Sequence, residues 1–569
     1  MIKYNTQWPE GTSDVTIELG AYRIARDGFD TGLPPWEHMY RAACSLFTSR
    51  QYARHYWVKR RMRCFCQTPW QTWIGPGSTA KSTDAAMCVL LHWLSAPSRT
   101  TCIVCSTTVT MLEKRIFGEL IRYHQLIPDA PGTYIKSEAA IKMGDENSKN
   151  GIFGIAILKG STREALGNIV GIHNEYVGLV IDEMQATREA AVEAATNLSS
   201  SGREFFFLGM GNPESRLDPL GRYSEPSSGW EGLHPNTCGE GWVTRYGRCE
   251  FFDGYLSPAI VEPNGKAKYH FLLSQDAIDS TRAKYGEDSP QFWSQRRGFF
   301  PPEGLDRTIF SESLFVHGHC FDKVVWKHDP TPVAGLDPSF SSMGDRCCLR
   351  FGMFGRTIDN KYAIELGEKI DIPLKMSKDT PIAYFIAQNV QSECDKRGVT
   401  PANFAMDCTA QQTALADIIE TEWGAGIMRV QFGGKASKLQ ISSDETTVGR
   451  DRYQNRVTEL WYILHNYILA DMVRGLDREA AMELSSRRLT EKLTPVQIEP
   501  KTAMKQRTGQ SPDDADAIVV LTSLIRERYN ILPGAGTFAN NDPKRVADAT
   551  RMFVEQDIDG RNDGYLTNY

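Results

Sequence analysis

Gly75-Pro76-Gly77-Ser78-Thr79-Ala80-Lys81-Ser82-Thr83 lies between an apolar Trp73-Ile74 and a stretch of helical pattern, STDAAMCVLLHWL. Small residues followed by Lys-Ser at the start of a helix form a phosphate-binding loop, in which successive backbone N–H groups face phosphate. Lys81 is then expected to reach the β- and γ-phosphates of ATP, and Ser82 to ligate Mg²⁺. The pattern departs from the usual one at Ala80, where glycine is the rule, and a Cβ is disfavoured wherever φ must be positive. Downstream, Val177-Gly178-Leu179-Val180-Ile181-Asp182-Glu183 is an apolar run ending in two adjacent carboxylates. Such a strand end delivers one carboxylate to the Mg²⁺ shell and a second to polarise the attacking water, which assigns Asp182 to magnesium and Glu183 to general base. The competing reading is a buried strand entering an acidic helix N-terminus.

Outward from these two elements, short β-branched or aromatic runs (TCIVCST, GIFGIAIL, VGLVID, EFFFLGM) alternate with helical stretches between about Trp73 and Pro213. That alternation predicts a mostly parallel α/β sheet. EFFFLGM ends in Gly211-Asn212-Pro213, which places Asn212 beside the γ-phosphate as a candidate sensor of hydrolysis. Fast turnover also calls for an arginine near that phosphate. Arg163, in GSTREALG, is the candidate, and a solvated loop arginine is the competing reading.

The chain has 569 residues, enough for several cores, with 64 Lys and Arg against 70 Asp and Glu, a formal net charge of −6. This ordinary composition excludes disordered, collagen-like and coiled-coil classes. The absence of a signal-like N-terminus or a long apolar run leads to the expectation of a soluble intracellular protein without membrane contact. Thirteen cysteines, many inside apolar runs, are expected to be reduced core residues. Cys102 and Cys105, although spaced like zinc ligands, should fall on opposite faces of their strand. His317, Gly318, His319 and Cys320 are read as a loop rather than a metal site.

From about Glu214 to residue 330 no strand–helix alternation is visible, and FFPPEG at 299–304 reads as a linker. A second block then runs strand, strand, strand, helix, strand, with Asp337 ending the first strand (GLDPSF) and Asp407 the fourth (FAMDCT). Asp513 and Asp516 head a helix in SPDDADAIVVL and share one face of it. Hard oxygen ligands from three element ends suit two Mg²⁺ or Mn²⁺ about 4 Å apart for phosphodiester cleavage. The competing reading is helix capping by Ser511 or Asp513. Asp345, in SSMGD, either joins the centre or belongs to a simple turn. The segment at 50–63, RQYARHYWVKRRMR, is read as a helix with a solvated basic face and an aromatic core face, with phosphate or adenine contact as the competing use.

The order GPGSTAKS, VGLVIDE, GMGNP, GLDPSFSSMGD, FAMDCTAQQ, SPDDADA resembles the large terminase subunit of tailed bacteriophages over about residues 40 to 530. The resemblance implies an N-terminal P-loop ATPase of the additional-strand (ASCE) type with a mostly parallel sheet, and a C-terminal ribonuclease H-like nuclease. It implies catalytic roles for Glu183, Arg163, Asp337, Asp407 and Asp516, nucleotide contacts from Gly75 to Thr83 with Asp182 and Asn212, and metal contacts from Ser82, Asp182, Asp337, Asp407, Asp513 and Asp516. The implied partners are double-stranded viral DNA, a small terminase subunit and the portal of a procapsid, on which a ring of five copies would sit. The implied setting is the host cytoplasm during assembly rather than the mature virion. The expected organisation is an N-terminal arm (1–50), the ATPase domain with a linker subdomain (51–300), an interdomain linker (301–330), the nuclease domain (331–530) and a flexible tail (531–569). A cellular helicase or repair nuclease with the same two folds is the alternative, a transposase-like strand transferase another, and a non-enzymatic capsid-associated protein a third.

Overall fold

Strand β1 (Trp70–Ile74) feeds the glycine-rich loop directly into helix α4 (Lys81–Leu94), and everything else in the first unit is arranged around that step. The structure, a computed structural model, describes residues 9–534 except 145–147, 158–172, 188–191, 193–195, 201, 306, 341–344, 375–380, 410–411, 444 and 491–494. The chain divides into two units, Met1–Leu305 and Asp306–Tyr569.

The first unit holds a nine-stranded sheet in the order β3-β4-β5-β2-β6-β7-β1-β9-β8. Its members are β2 (Thr100–Ser106), β3 (Thr133–Ile135), β4 (Ala140–Lys142), β5 (Gly151–Ala156), β6 (Tyr176–Asp182), β7 (Glu204–Gly211), β8 (Gly241–Val243) and β9 (Arg248–Phe251). From β5 to β9 every neighbouring pair is parallel, and the strands outside them are antiparallel. The strand ending in Asp182 is separated from β1 by β7, the additional-strand order of P-loop ATPases. Side-chain alternation along β2 divides the core: Cys102 and Val104 pack with the helices of one face, Ile103 and Cys105 with the other. All thirteen cysteines are free thiols.

The first unit departs from the sequence expectations at three places. The N-terminal arm is instead a pair of helices, α1 (Asp14–Arg26) and α2 (Pro35–Leu46), whose Tyr22, Met39 and Ala42 are fully buried in the same core as α4. Arg23 and Arg26 tie α1 to Glu204 of β7. The region after Glu214 does contribute to the sheet, through β8 and β9. No apolar run announces β9, because its Glu250 is buried by pairing with Arg60 rather than by being apolar. Finally, in α3 (Tyr56–Gln67) the basic residues do not all face water: Arg61 is fully buried against Asp84 of α4, and Arg60 is buried with Glu250. Tyr52 and Trp57 are in the core, as the aromatic pattern predicts.

The second unit has a six-stranded sheet in the order β14-β13-β10-β11-β12-β17. Here β10 is Thr331–Asp337, β11 Cys347–Arg356, β12 Tyr362–Ile372, β13 Phe404–Asp407, β14 Met428–Val430 and β17 Val473–Arg474. The strands β15 (Gln440–Ser442) and β16 (Glu445–Val448) form a separate hairpin. β10, β11 and β12 form an antiparallel meander, and β13 lies parallel to β10 on its other side. This is the ribonuclease H-like order. One face is covered by α5 (Ile382–Asp395) and α6 (Gln412–Glu422). The other carries the helix Asp513–Glu527, here α10, which approaches β10 so closely that a Cβ on Gly335 would lie 2.4 Å from the Ala517 carbonyl oxygen. Only glycine permits that approach. Between these lie α7 (Arg456–Leu469), α8 (Arg478–Ser486) and α9 (Lys501–Thr508). Ile531, Leu532 and Pro533, the expected start of a tail, are buried, with the Tyr467 hydroxyl donating to the Ile531 carbonyl at 2.6 Å. His317 closes a short helix, Glu312–His317, and Cys320 is buried. Among the described residues no helix is long and apolar enough to cross a membrane.

Candidate active sites

The loop from Gly75 to Ala80 turns back on itself by placing Ser78 and Ala80 at φ +59° and +60°. Ala80 therefore takes the left-handed conformation that its Cβ disfavours, at a cost of about 1 kcal/mol relative to glycine. That turn starts α4 at Lys81, whose Nζ is buried 2.8 Å from the Gly75 and Pro76 carbonyl oxygens, 3.3 Å from Thr79 Oγ1 and 3.2 Å from Asn212 Oδ1. Burial, reinforced by the fields of Arg61 and Arg115, lowers the Lys81 pKa to about 7, with Asp182 opposing. Among the described residues the ammonium has only neutral oxygens as direct partners and no carboxylate in ion-pair contact, so phosphate oxygens are its natural partner.

Ser82 follows on α4, and its hydroxyl donates to Asp182 Oδ2 at 3.0 Å. Burial raises the Asp182 pKa, while the Ser82 hydrogen bond, Arg115 and Lys81 oppose it. The parallel sheet thus brings Lys81, Ser82, Asp182 and Asn212 to one end of adjacent strands, where the sequence pattern put them. Ser82 and Asp182 offer neighbouring hard oxygens of the kind Mg²⁺ takes. Glu183 sits just past the strand at φ +56°. Its Oε2 accepts from Gln185 Nε2 at 2.6 Å, and its Oε1 is ion-paired with Arg115. Thr83 is half-buried in the first turn of α4. Arg163 lies outside the described residues. Arg115 was not singled out from sequence: within MLEKRIF nothing local distinguishes it, and only the fold brings it to Glu183.

In the second unit, Lys501 on α9 gathers three carboxylates. Its Nζ is 2.8 Å from Asp337 Oδ2, 3.1 Å from Asp513 Oδ1 and 3.2 Å from Asp516 Oδ2. Each of the two helix carboxylates is anchored through its other oxygen. Asp513 Oδ2 accepts the Arg346 backbone N–H at 2.8 Å, and Asp516 Oδ1 accepts Trp461 Nε1 at 3.0 Å and Arg487 Nη1 at 3.2 Å. Asp407 is treated likewise, its Oδ1 held by the Thr409 N–H at 3.1 Å and hydroxyl at 2.6 Å. It ends the strand beside Asp337, but among the described contacts it does not reach Lys501. Burial raises the Asp337 pKa, with Lys501 opposing and Asp516 and Asp513 adding to the rise. The same carboxylates raise the Lys501 pKa against its own desolvation.

Asp345 does not join the three; it pairs with Lys505 at 2.6 Å. Asp514 faces away, to the buried Arg350 at 3.1 Å. Capping by Asp513 or Ser511 is not what the structure has: Pro512 occupies the N-cap without a side-chain bond, because Asp513 is engaged by Arg346. Among the described residues no group of three His, Cys, Asp or Glu side chains is placed as a metal-ligand set. The donor chemistry nevertheless fits a divalent cation: hard oxygens converge on one positive charge, the Lys501 ammonium, which stands where a cation is stabilised. Lys501, Arg487, Trp461 and Glu483 were missed from sequence, although the Lys501/Lys505 spacing of four on one helix face was a visible sign.

No family model and no curated protein matches the chain. Solved structures do. The large terminase of bacteriophage HK97 is similar at 11% identity and a TM-score of 0.33, over 82% of this chain and 94% of that one. The large terminase of a thermophilic bacteriophage is similar at 11% identity and a TM-score of 0.29, over 84% and 98%; another crystal form of it contains ADP. The nuclease domain of the large terminase subunit gp2 of bacterial virus Sf6, a point mutant with manganese, is similar at 16% identity and a TM-score of 0.28, over 38% of this chain and 98% of that domain.

Proposed function

We propose that this chain is a viral DNA-packaging subunit, the large subunit of a terminase, which couples ATP hydrolysis to translocation of double-stranded DNA and cuts concatemers with a metal-dependent nuclease. The observation that carries this reading is the presence, in one chain, of two differently built centres: Lys81, Ser82, Asp182, Glu183 and Asn212 at the end of a parallel sheet, and Asp337, Asp513 and Asp516 around one positive charge.

In the first centre Lys81 binds the β- and γ-phosphates, and the N–H groups of residues 77–82 face them from the head of α4. Ser82 and Asp182 would hold Mg²⁺, which neutralises phosphate charge when bound. Glu183 accepts the proton of the attacking water, which adds to the γ-phosphorus as the bond to the β-bridging oxygen breaks. Asn212, in contact with Lys81, reports loss of the γ-phosphate along β7. Arg163 remains a candidate for the arginine that neutralises transition-state charge. In the second centre Asp337, Asp407, Asp513 and Asp516 would hold two Mg²⁺ or Mn²⁺, which activate water and stabilise the leaving 3′ oxygen when bound. The partners are double-stranded DNA, a small subunit and a portal carrying a ring, taken as five copies, in the host cytoplasm during virus assembly.

The test is DNA-stimulated ATP hydrolysis and Mn²⁺-dependent plasmid cleavage by the wild type, Lys81→Ala and Asp337→Ala. Loss of hydrolysis alone in the first variant and of cleavage alone in the second supports the reading. Wild-type hydrolysis without cleavage in either metal would leave only the motor.

A further inference from the structure

The acidic centre depends on where the head of α10 stands, and that head has no cap of its own. Four N–H groups at a helix start need acceptors. Pro512 supplies none. Instead Glu483 of α8 reaches across, its Oε2 accepting the Asp514 N–H at 2.9 Å and the Ala515 N–H at 3.2 Å. The other oxygen of Glu483 pairs with the Arg346 guanidinium, and the Arg346 backbone N–H holds Asp513 Oδ2. One turn on from Glu483, Arg487 donates to Asp516 Oδ1 while lying over the Trp461 ring at 4.8 Å, and Trp461 donates to the same oxygen. Two positions four apart, Glu483 and Arg487, therefore grip the backbone and the second carboxylate of the helix that presents Asp513 and Asp516. Every one of these contacts is made from behind, leaving Asp513 Oδ1 and Asp516 Oδ2 turned to the same point.

We propose that Glu483 is a positioning residue of the acidic centre: it fixes the head of α10 so that Asp513 and Asp516 present one oxygen each to a divalent cation. The assignment rests on reading the centre as a divalent-cation site. Partners that orient ligand side chains commonly change metal affinity about 10- to 100-fold when removed. Loss of Glu483 leaves two buried N–H groups without that acceptor and leaves the Arg346 guanidinium with only its longer pairs to Asp513 at 3.6 Å and Asp371 at 3.9 Å, so the two carboxylates lose their common aim.

The test uses the full-length chain and Mn²⁺ itself. Binding is measured by calorimetric titration and by the electron paramagnetic resonance signal of free Mn²⁺, with plasmid cleavage recorded against Mn²⁺ concentration. Glu483→Ala is expected to weaken Mn²⁺ binding about 10-fold or more and to raise the half-saturating Mn²⁺ for cleavage by the same factor. Glu483→Gln, whose amide oxygen still accepts the two N–H bonds, is expected to recover most of the affinity. Glu479→Ala, on the same helix but paired with Lys369, should bind as wild type. A Glu483→Ala protein that is folded and binds Mn²⁺ as wild type overturns the proposal. Should it fail to fold, Glu483→Asp decides, since its carboxylate is withdrawn by one methylene: unchanged Mn²⁺ affinity overturns the assignment, and a severalfold loss supports it. Equal Mn²⁺ binding by the wild type and Asp337→Ala would instead remove the divalent-cation reading itself.

Discussion

Two lysines mark the two centres, and they live in opposite surroundings. Lys81 is enclosed by backbone carbonyls with Arg61 and Arg115 nearby, and burial brings its pKa down to about 7. Lys501 stands among three carboxylates, which push its pKa upward. Among the described residues the first has no carboxylate in ion-pair contact, only the field of Asp182 at a distance. The second satisfies a surplus of anions that the chain does provide. The same side chain thus stands in two opposite electrostatic surroundings, which under the proposed function suit phosphate in one and a cation in the other.

The largest effect is expected at Glu183. Glu183→Gln is expected to lower ATP hydrolysis about 10²- to 10⁴-fold while nucleotide binding persists, measured by phosphate release and by titration with a fluorescent ATP analogue; hydrolysis near the wild-type rate would remove it as the base. Gly335→Ala attacks the other unit, because the new Cβ would meet Ala517 and Leu521 of α10 at 2.4 and 2.6 Å. A loss of about 3 kcal/mol is expected in chemical denaturation of the second unit, together with lost Mn²⁺ binding. An unshifted denaturation midpoint would show that the helix is not so closely seated.

The two lysines should also answer pH and substitution differently. With a folded pKa near 7, Lys81 is charged below that value and loses its proton above it. Binding an anion requires the charged form, so ATP affinity is present in full below pH 7 and falls as pH rises, by up to about tenfold per unit. Lys81→Arg should flatten this dependence, and a wild-type affinity constant from about pH 6.5 to 8.5 would contradict the depressed pKa. Lys501→Met removes a resident cation, and Mn²⁺ affinity is expected to rise about tenfold in calorimetric titration; weaker binding would mean that Lys501 supports the ligands rather than competing for them. The smallest effect belongs to the loop: Ala80→Gly relieves the positive φ and should raise the melting temperature of the first unit slightly, for a gain of about 0.5 kcal/mol.

What could be read from sequence was local in the chain. Gly75 to Thr83, the Asp182-Glu183 pair, and Asp337 and Asp407 at strand ends each form a pattern visible within ten residues, and the alternating runs around the first two predict the mostly parallel sheet that is observed. The departure at Ala80 is also local, and the residue does adopt the positive φ that its Cβ disfavours. What was not legible depends on distant partners. Arg60 and Arg61 read as solvated because Glu250 and Asp84, which neutralise them inside, lie far along the chain. Arg115, Lys501 and Glu483 acquire roles only when folding brings them to Glu183, Asp337 and the head of α10. β9 escaped notice because four residues with a buried glutamate do not look like a strand.

The burial of α10 has a kinetic consequence. From Asp513 to Arg526 every residue of this helix is buried. Amides so enclosed exchange with solvent deuterium only when the surrounding structure opens as a whole. The carboxylates of Asp513 and Asp516 therefore ride on a fully enclosed helix, along which slow deuterium exchange is expected.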